Sequence, residues 1–139
     1  MFRDCAAFTG KGLRYWDVSE GIYFHEMFMG ATEFAEHIDD WNVEKATDTH
    51  EMFMNAKNFN ADLGGWKLSS TKSCAFMFHG AESFGANLCD WQDNLLRAAK
   101  VDSMFELSGC PIEEDPIIWY RFHGLSNRSH FCTDCPQLP

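Results

Sequence analysis

Proline is absent from the first 110 residues; all four prolines (111, 116, 136 and 139) lie beyond Cys110. Basic residues are scarce: 11 Lys and Arg stand against 21 Asp and Glu, a formal net charge of −10. A surface this acidic repels a phosphate backbone, which argues against nucleic acid as a partner, and it disfavours anionic lipid in the same way. No apolar run reaches the ~18 residues a membrane-spanning helix needs. The opening Met1-Phe2-Arg3-Asp4-Cys5 has no apolar h-region, so no signal peptide is read there. No Gly-x-Ser-x-Gly occurs, and Gly10-Lys11-Gly12 is too short for a phosphate loop. Two His-Glu pairs, His25-Glu26 and His50-Glu51, begin like a zinc protease motif, but Met29 and Met54 stand where the second His belongs.

What is present is a globular composition, 45% hydrophobic and 23% charged, over 139 residues, the size of one domain. Its 13 Phe, 5 Trp and 7 Met are not scattered. Met-Phe recurs at 1–2, 27–28, 52–53, 77–78 and 104–105, and Trp at 16, 41, 66 and 91. An internal repeat of about 25 residues therefore organises the chain.

Each unit carries further columns. Phe8, Phe34, Phe59 and Phe84 lie seven places after Met, and Cys5, Ala31, Ala56 and Ala81 lie four places after it. Offsets of zero, one, four and seven share one helical face. An aliphatic column (Leu13, Ile38, Leu63, Leu88) precedes each Trp by three residues. After Trp, Val18, Val43 and Leu68 follow at a period of two, the signature of a strand. The pattern predicts an α/β solenoid of coils of about 25 residues, each a short strand plus a short helix. No unit can bury its own Met, Phe, Leu and Trp; stacking places like over like. Trp16, Trp41, Trp66 and Trp91 are expected to form a buried core with Phe28, Phe53, Phe78, Phe34, Phe59 and Phe84.

The strings Met-Phe-x-x-Ala-x-x-Phe-Asn-x-Asp-Leu-x-x-Trp (52–66) and Trp-Asp-Val-Ser (16–19) resemble the BspA-like surface-protein repeat, also found in mycoplasma-type lipoproteins. The run Leu63-x-x-Trp66-x-Leu68-x-x-Thr71 is similar to a leucine-rich repeat. Only the third unit keeps Asn60-x-Asp62, only the first keeps Trp-Asp-Val-Ser, and the fourth has two extra residues within 92–99. The resemblance implies an extracellular or cell-surface solenoid used for adhesion or partner binding, with no enzyme activity and no cofactor.

Proline usage divides the chain into 1–110, four complete repeats and the start of a fifth, and 111–139, a C-terminal cap or tail. Ile117, Ile118, Trp119, Tyr120 and Phe122 could cover the last coil. Met1 is itself a repeat position, so an aromatic end is expected to lie open, as in a piece of a longer array. The missing leader then says little about compartment, and an intracellular repeat scaffold for protein–protein interaction is the alternative reading.

On the strand side Asp17, Asn42 and Lys67 follow each Trp, and Ser19, Glu44 and Ser69 alternate with them. This mixed polar ladder suits a protein or glycan partner better than lipid. An acidic side around Glu33, Glu36, Asp39 and Asp40 is the competing surface. His25 and His50 fall one repeat apart and could meet across coils as a metal pair, though a solvated position is the simpler reading. Cys132-x-x-Cys135, with His123 and His130 nearby, has metal-ligand spacing but no second pair; a disulfide confined to the tail is the alternative. Cys5 and Cys74 read as buried thiols, and Cys74 and Cys89 are not expected to pair. Asn127-Arg128-Ser129 forms one glycosylation sequon.

Overall fold

A computed structural model describes residues 1–95, 98–116 and 130–135. The region of Ile117, Ile118, Trp119, Tyr120, Phe122, His123 and the sequon at Asn127 lies outside the described residues.

Successive units lie on one another, joined by a backbone ladder through their Met-Phe segments. The amides of Phe24, Glu26, Phe28 and Gly30 donate to the carbonyls of Asp48, His50, Met52 and Met54, at 2.8–3.0 Å. The same set runs from Thr49, Glu51, Phe53 and Asn55 to Ser73, Ala75, Met77 and His79. It recurs from Cys74, Phe76, Phe78 and Gly80 to Lys100, Asp102, Met104 and Glu106. The amides between them turn inward: Met27 donates to Phe24, Met29 to Glu26 and Ala31 to Phe28, each three residues back. Alternate amides thus serve the neighbouring unit and the unit's own turns, which satisfies a buried backbone without a helix.

The short helix expected in each unit is therefore replaced by consecutive turns. The cause is a pair of left-handed positions flanking each Met-Phe: Glu26 and Gly30, Glu51 and Asn55, Phe76 and Gly80, Ser103 and Leu107, with Asp4 in the first unit. A left-handed residue every fourth place cannot propagate an α-helix. The column Asp4, Gly30, Asn55, Gly80 is filled by residue types that tolerate this conformation. Gly80 is the tightest case, because a Cβ there would overlap the Asn55 side chain. Helices among the described residues are a single 3-10 turn, Leu13–Tyr15, and one α-helical turn, α1 (Trp91–Asn94).

The strand expected directly after Trp is also displaced. Parallel bridges link Tyr23, Asp48, Ser73 and Lys100 in a row seven or more residues beyond each Trp. At the expected place a single bridge joins Leu68 to Leu95. Turns intervene: Gly21, Ala46 and Thr71 donate back to Val18, Val43 and Leu68. The carboxylate or amide oxygens of Asp17 and Asn42 hold the amides of Ser19 and Glu44.

The core consists of two columns of parallel rings. Phe2, Phe28, Phe53, Phe78 and Phe105 stack at 5.6–5.8 Å between centroids. Phe8, Phe34, Phe59 and Phe84 stack beside them at 5.4–6.2 Å. Within a unit the two rings approach to 3.9–4.2 Å. Trp41, Trp66 and Trp91 are buried. Each indole N–H donates to the aliphatic-column carbonyl 28 residues earlier, on Leu13, Ile38 and Leu63, at 2.9–3.1 Å. Trp16 departs from the expected buried column: it is 47% exposed, with no unit stacked on its outer side among the described residues. Buried Thr49 and Thr71 are satisfied through hydroxyl bonds to Ser73 and Ala46 carbonyls.

Residues of the C-terminal segment close the other end. Strands β1 (His130–Phe131) and β2 (Thr133–Asp134) form a small antiparallel pair, with Phe131 buried. Leu88 donates to Phe131 and Ile112 to Cys132. Disulfides Cys89–Cys135 and Cys110–Cys132 fasten this segment to the fourth unit and to the start of the fifth. Two expectations are corrected here. Cys89 takes part, so the bridging is not confined to the tail. Cys132 and Cys135 belong to different disulfides, and a disulfide sulfur has no thiolate to give a metal, so Cys132-x-x-Cys135 forms no metal site here.

Candidate functional site

The polar row after Trp is displayed outward. Asp17, Asn42, Lys67, Glu44 and Ser69 are exposed and Ser19 is half-buried. Two of its members have a local task. Asp17 accepts from both the amide and the hydroxyl of Ser19, at 3.0 and 2.6 Å, and this bonding holds its carboxyl below the usual carboxylate range. Asn42 repeats the amide bond to Glu44 at 3.1 Å. Asp17 and Asn42 therefore shape the turn that presents the row, an Asx-turn role readable in Asp-x-Ser.

On the opposing acidic side, Glu36 accepts the Gly12 amide of the preceding unit at 2.9 Å, which lowers its pKa. It acts as a unit-to-unit fastener. Glu33 and Asn58 approach at 3.4 Å, and His37 stands 3.7 Å from Asp39.

Stacking of the third and fourth units opens a cleft of about 630 Å³, lined by Asn60, Asp62, Gly64, Gly65, Gly85, Asn87, Cys89 and Asp90. Its lining combines glycines with amide and carboxylate side chains. Asn60 accepts the Gly85 amide across units at 3.1 Å; Asp62 and Asn87 each accept the amide two residues on, from Gly64 and Cys89. The Cys89–Cys135 disulfide closes one side. These residues were not singled out as a site by the sequence pattern, although Asn60-x-Asp62 followed by Gly64-Gly65 carries the turn chemistry that builds the cleft.

The two His-Glu pairs also meet. His25 and His50 lie face to face, 5.2 Å between centroids. Imidazole lone pairs point in the ring plane, so two parallel stacked rings cannot converge on one ion; the His25–His50 metal pair is corrected on this ground. A different set is close: one ligand atom each from Glu26, His50 and Glu51 lie within 4.8 Å of one another.

Cys5 is exposed, contrary to expectation, while Cys74 is fully buried and its thiol is pushed up to about 12 by burial. No helix among the described residues is long and apolar enough to cross a membrane.

These features define a protein of stacked 25-residue units with a disulfide-held C-terminal segment. The chain belongs to the family described as Mycoplasma protein of unknown function, DUF285, which matches residues 1–111. No curated protein and no solved structure matches the chain.

Proposed function

We propose that this chain is a leucine-rich-repeat-like solenoid of the BspA-like kind, acting as a non-enzymatic binding or adhesion module outside the cell. The observation that carries the reading is the cleft between the third and fourth units, with the outward polar row beside it. A glycine-containing lining with Asn60, Asp62, Asn87 and Asp90 offers amide and carboxylate groups to hydroxyls or to an extended peptide backbone. The row of Asp17, Asn42 and Lys67 extends the polar surface across units at one side chain per coil, which suits a large partner. The two disulfides fit an oxidising compartment.

The test is an array of glycans and purified surface-matrix proteins probed with the disulfide-bonded chain. A ligand whose binding falls at least tenfold with Asp62→Ala or Asp90→Ala, with far-UV spectra unchanged, supports the reading. If the array gives a ligand that neither change affects, while charge reversal at Glu33 and Asp40 abolishes its binding, the acidic side is the binding face.

A further inference from the structure

We propose that Glu26, His50 and Glu51 bind one borderline divalent cation, with Zn²⁺ the best match, in a site that joins one unit to the next. Ligand atoms of these three side chains already lie within 4.8 Å of one another. Tetrahedral zinc with bonds of about 2.0–2.1 Å holds its ligand atoms about 3.3 Å apart. The gap closes by rotation of half-buried side chains, and the backbone need not move.

The geometry around His50 prepares it as a ligand. Its Nδ1 lies 2.8 Å from Oδ1 of Asp48. A carboxylate there fixes the proton on Nδ1 and leaves the Nε2 lone pair for a metal, the usual outer partner of a metal-bound imidazole. His25 stacks on one face of the ring, and Tyr23 meets His25 edge-on at 6.3 Å, so His50 is held in orientation from a second side. Glu26 and Glu51 occupy equivalent left-handed positions one repeat apart, which sets their carboxylates on the same side of the stack. The Arg3 guanidinium pairs with Glu26. It stands where positive charge is needed and competes with the ion for that carboxylate.

One imidazole nitrogen with two carboxylates favours Zn²⁺ and its first-row neighbours over Mg²⁺ or Ca²⁺, which prefer all-oxygen sets. Three protein ligands leave a fourth position for water. The ion would tie adjacent units together through side chains of both, independently of any ligand in the cleft.

The test is calorimetric titration of ZnCl₂ into the full, disulfide-bonded chain, with Co²⁺ absorption as a spectroscopic readout. One equivalent should bind, Co²⁺ should show the intense visible bands of a four-coordinate site, and Zn²⁺ should raise the melting temperature. His50→Asn and Glu51→Gln should each weaken binding at least tenfold. Asp48→Asn should weaken it by about tenfold through loss of the outer-shell hold. Arg3→Gln should tighten it, because it frees the Glu26 carboxylate; a purely structural role for Arg3 would not move affinity in that direction. His37→Gln, in the acidic turn away from the site, serves as the control and should leave binding intact. Binding unchanged by both His50→Asn and Glu51→Gln, or no one-equivalent binding at all, would overturn the assignment.

Discussion

Replacement of Phe59 by Ala probes the stacked core at its centre. The ring is fully buried, 4.1 Å from Phe53 in its own unit, 5.4 Å from Phe34 below and 6.0 Å from Phe84 above. Removing it takes a full aromatic side chain out of a site whose neighbours are pinned by backbone ladders on both sides. The site cannot collapse, so the loss lies in the upper part of the usual range, about 4–5 kcal/mol. Phe8 occupies the same column in the first unit, which has no unit on its outer side among the described residues. It is only partly buried and touches Phe2 at 4.2 Å and Phe34 at 6.2 Å. Water fills the space that Phe8→Ala leaves, so its cost is about 1–2 kcal/mol. In equilibrium urea unfolding with disulfides intact, a slope near 2 kcal/mol/M converts these to midpoint shifts of about 2 M and under 1 M. Equal shifts from the two variants would refute the reasoning, because they would mean that a residue with neighbours on both sides gains nothing from them.

Gly80→Ala should destabilise by more than about 1 kcal/mol, since Gly80 sits at a φ of 70° and an added Cβ would overlap Asn55, while Gly65→Ala meets open space and should be near neutral in the same urea assay. Trp66→Phe should cost about 1 kcal/mol beyond its lost area through the bond to Ile38, and Trp16→Phe should cost far less; comparable midpoint shifts would argue against the indole ladder. Iodoacetamide applied to the native protein at pH 8 should modify Cys5 and spare Cys74, giving a single mass increment. Because the folded Cys74 thiol titrates at about 12 against an ordinary value of 9.0, the folded state keeps a proton that the unfolded state releases. Stability should therefore fall as pH rises from about 9 toward 12, and Cys74→Val should flatten that decline. Lys67→Glu should leave the unfolding free energy within about 0.5 kcal/mol of the parent and weaken an acidic ligand of the polar row, read by direct binding.

The sequence by itself determines the period, the columns and the end of the regular pattern. Met-Phe and Trp recur at steps of about 25 residues because each unit must set like side chains over like, and proline first appears where that demand ceases. Tertiary structure decides the path between the columns. Apolar spacing of zero, one, four and seven suits a helical face, yet the left-handed residues at Glu26 and Gly30 and their equivalents turn the same spacing into a chain of turns. Those positions are held there by amides that bond to the next unit, a partner no local pattern contains. The cleft and the Glu26–His50–Glu51 group arise in the same way, from residues about 25 apart that only stacking brings within a few ångström. Disulfide pairing, too, was decided in three dimensions: Cys132 and Cys135 are three residues apart, but Cys132 sits in the turn between β1 and β2 and Cys135 follows β2, and their sulfurs go to Cys110 and Cys89. Spacing along a chain carries side-chain periodicity faithfully, whereas which groups meet depends on how the units are laid one upon another.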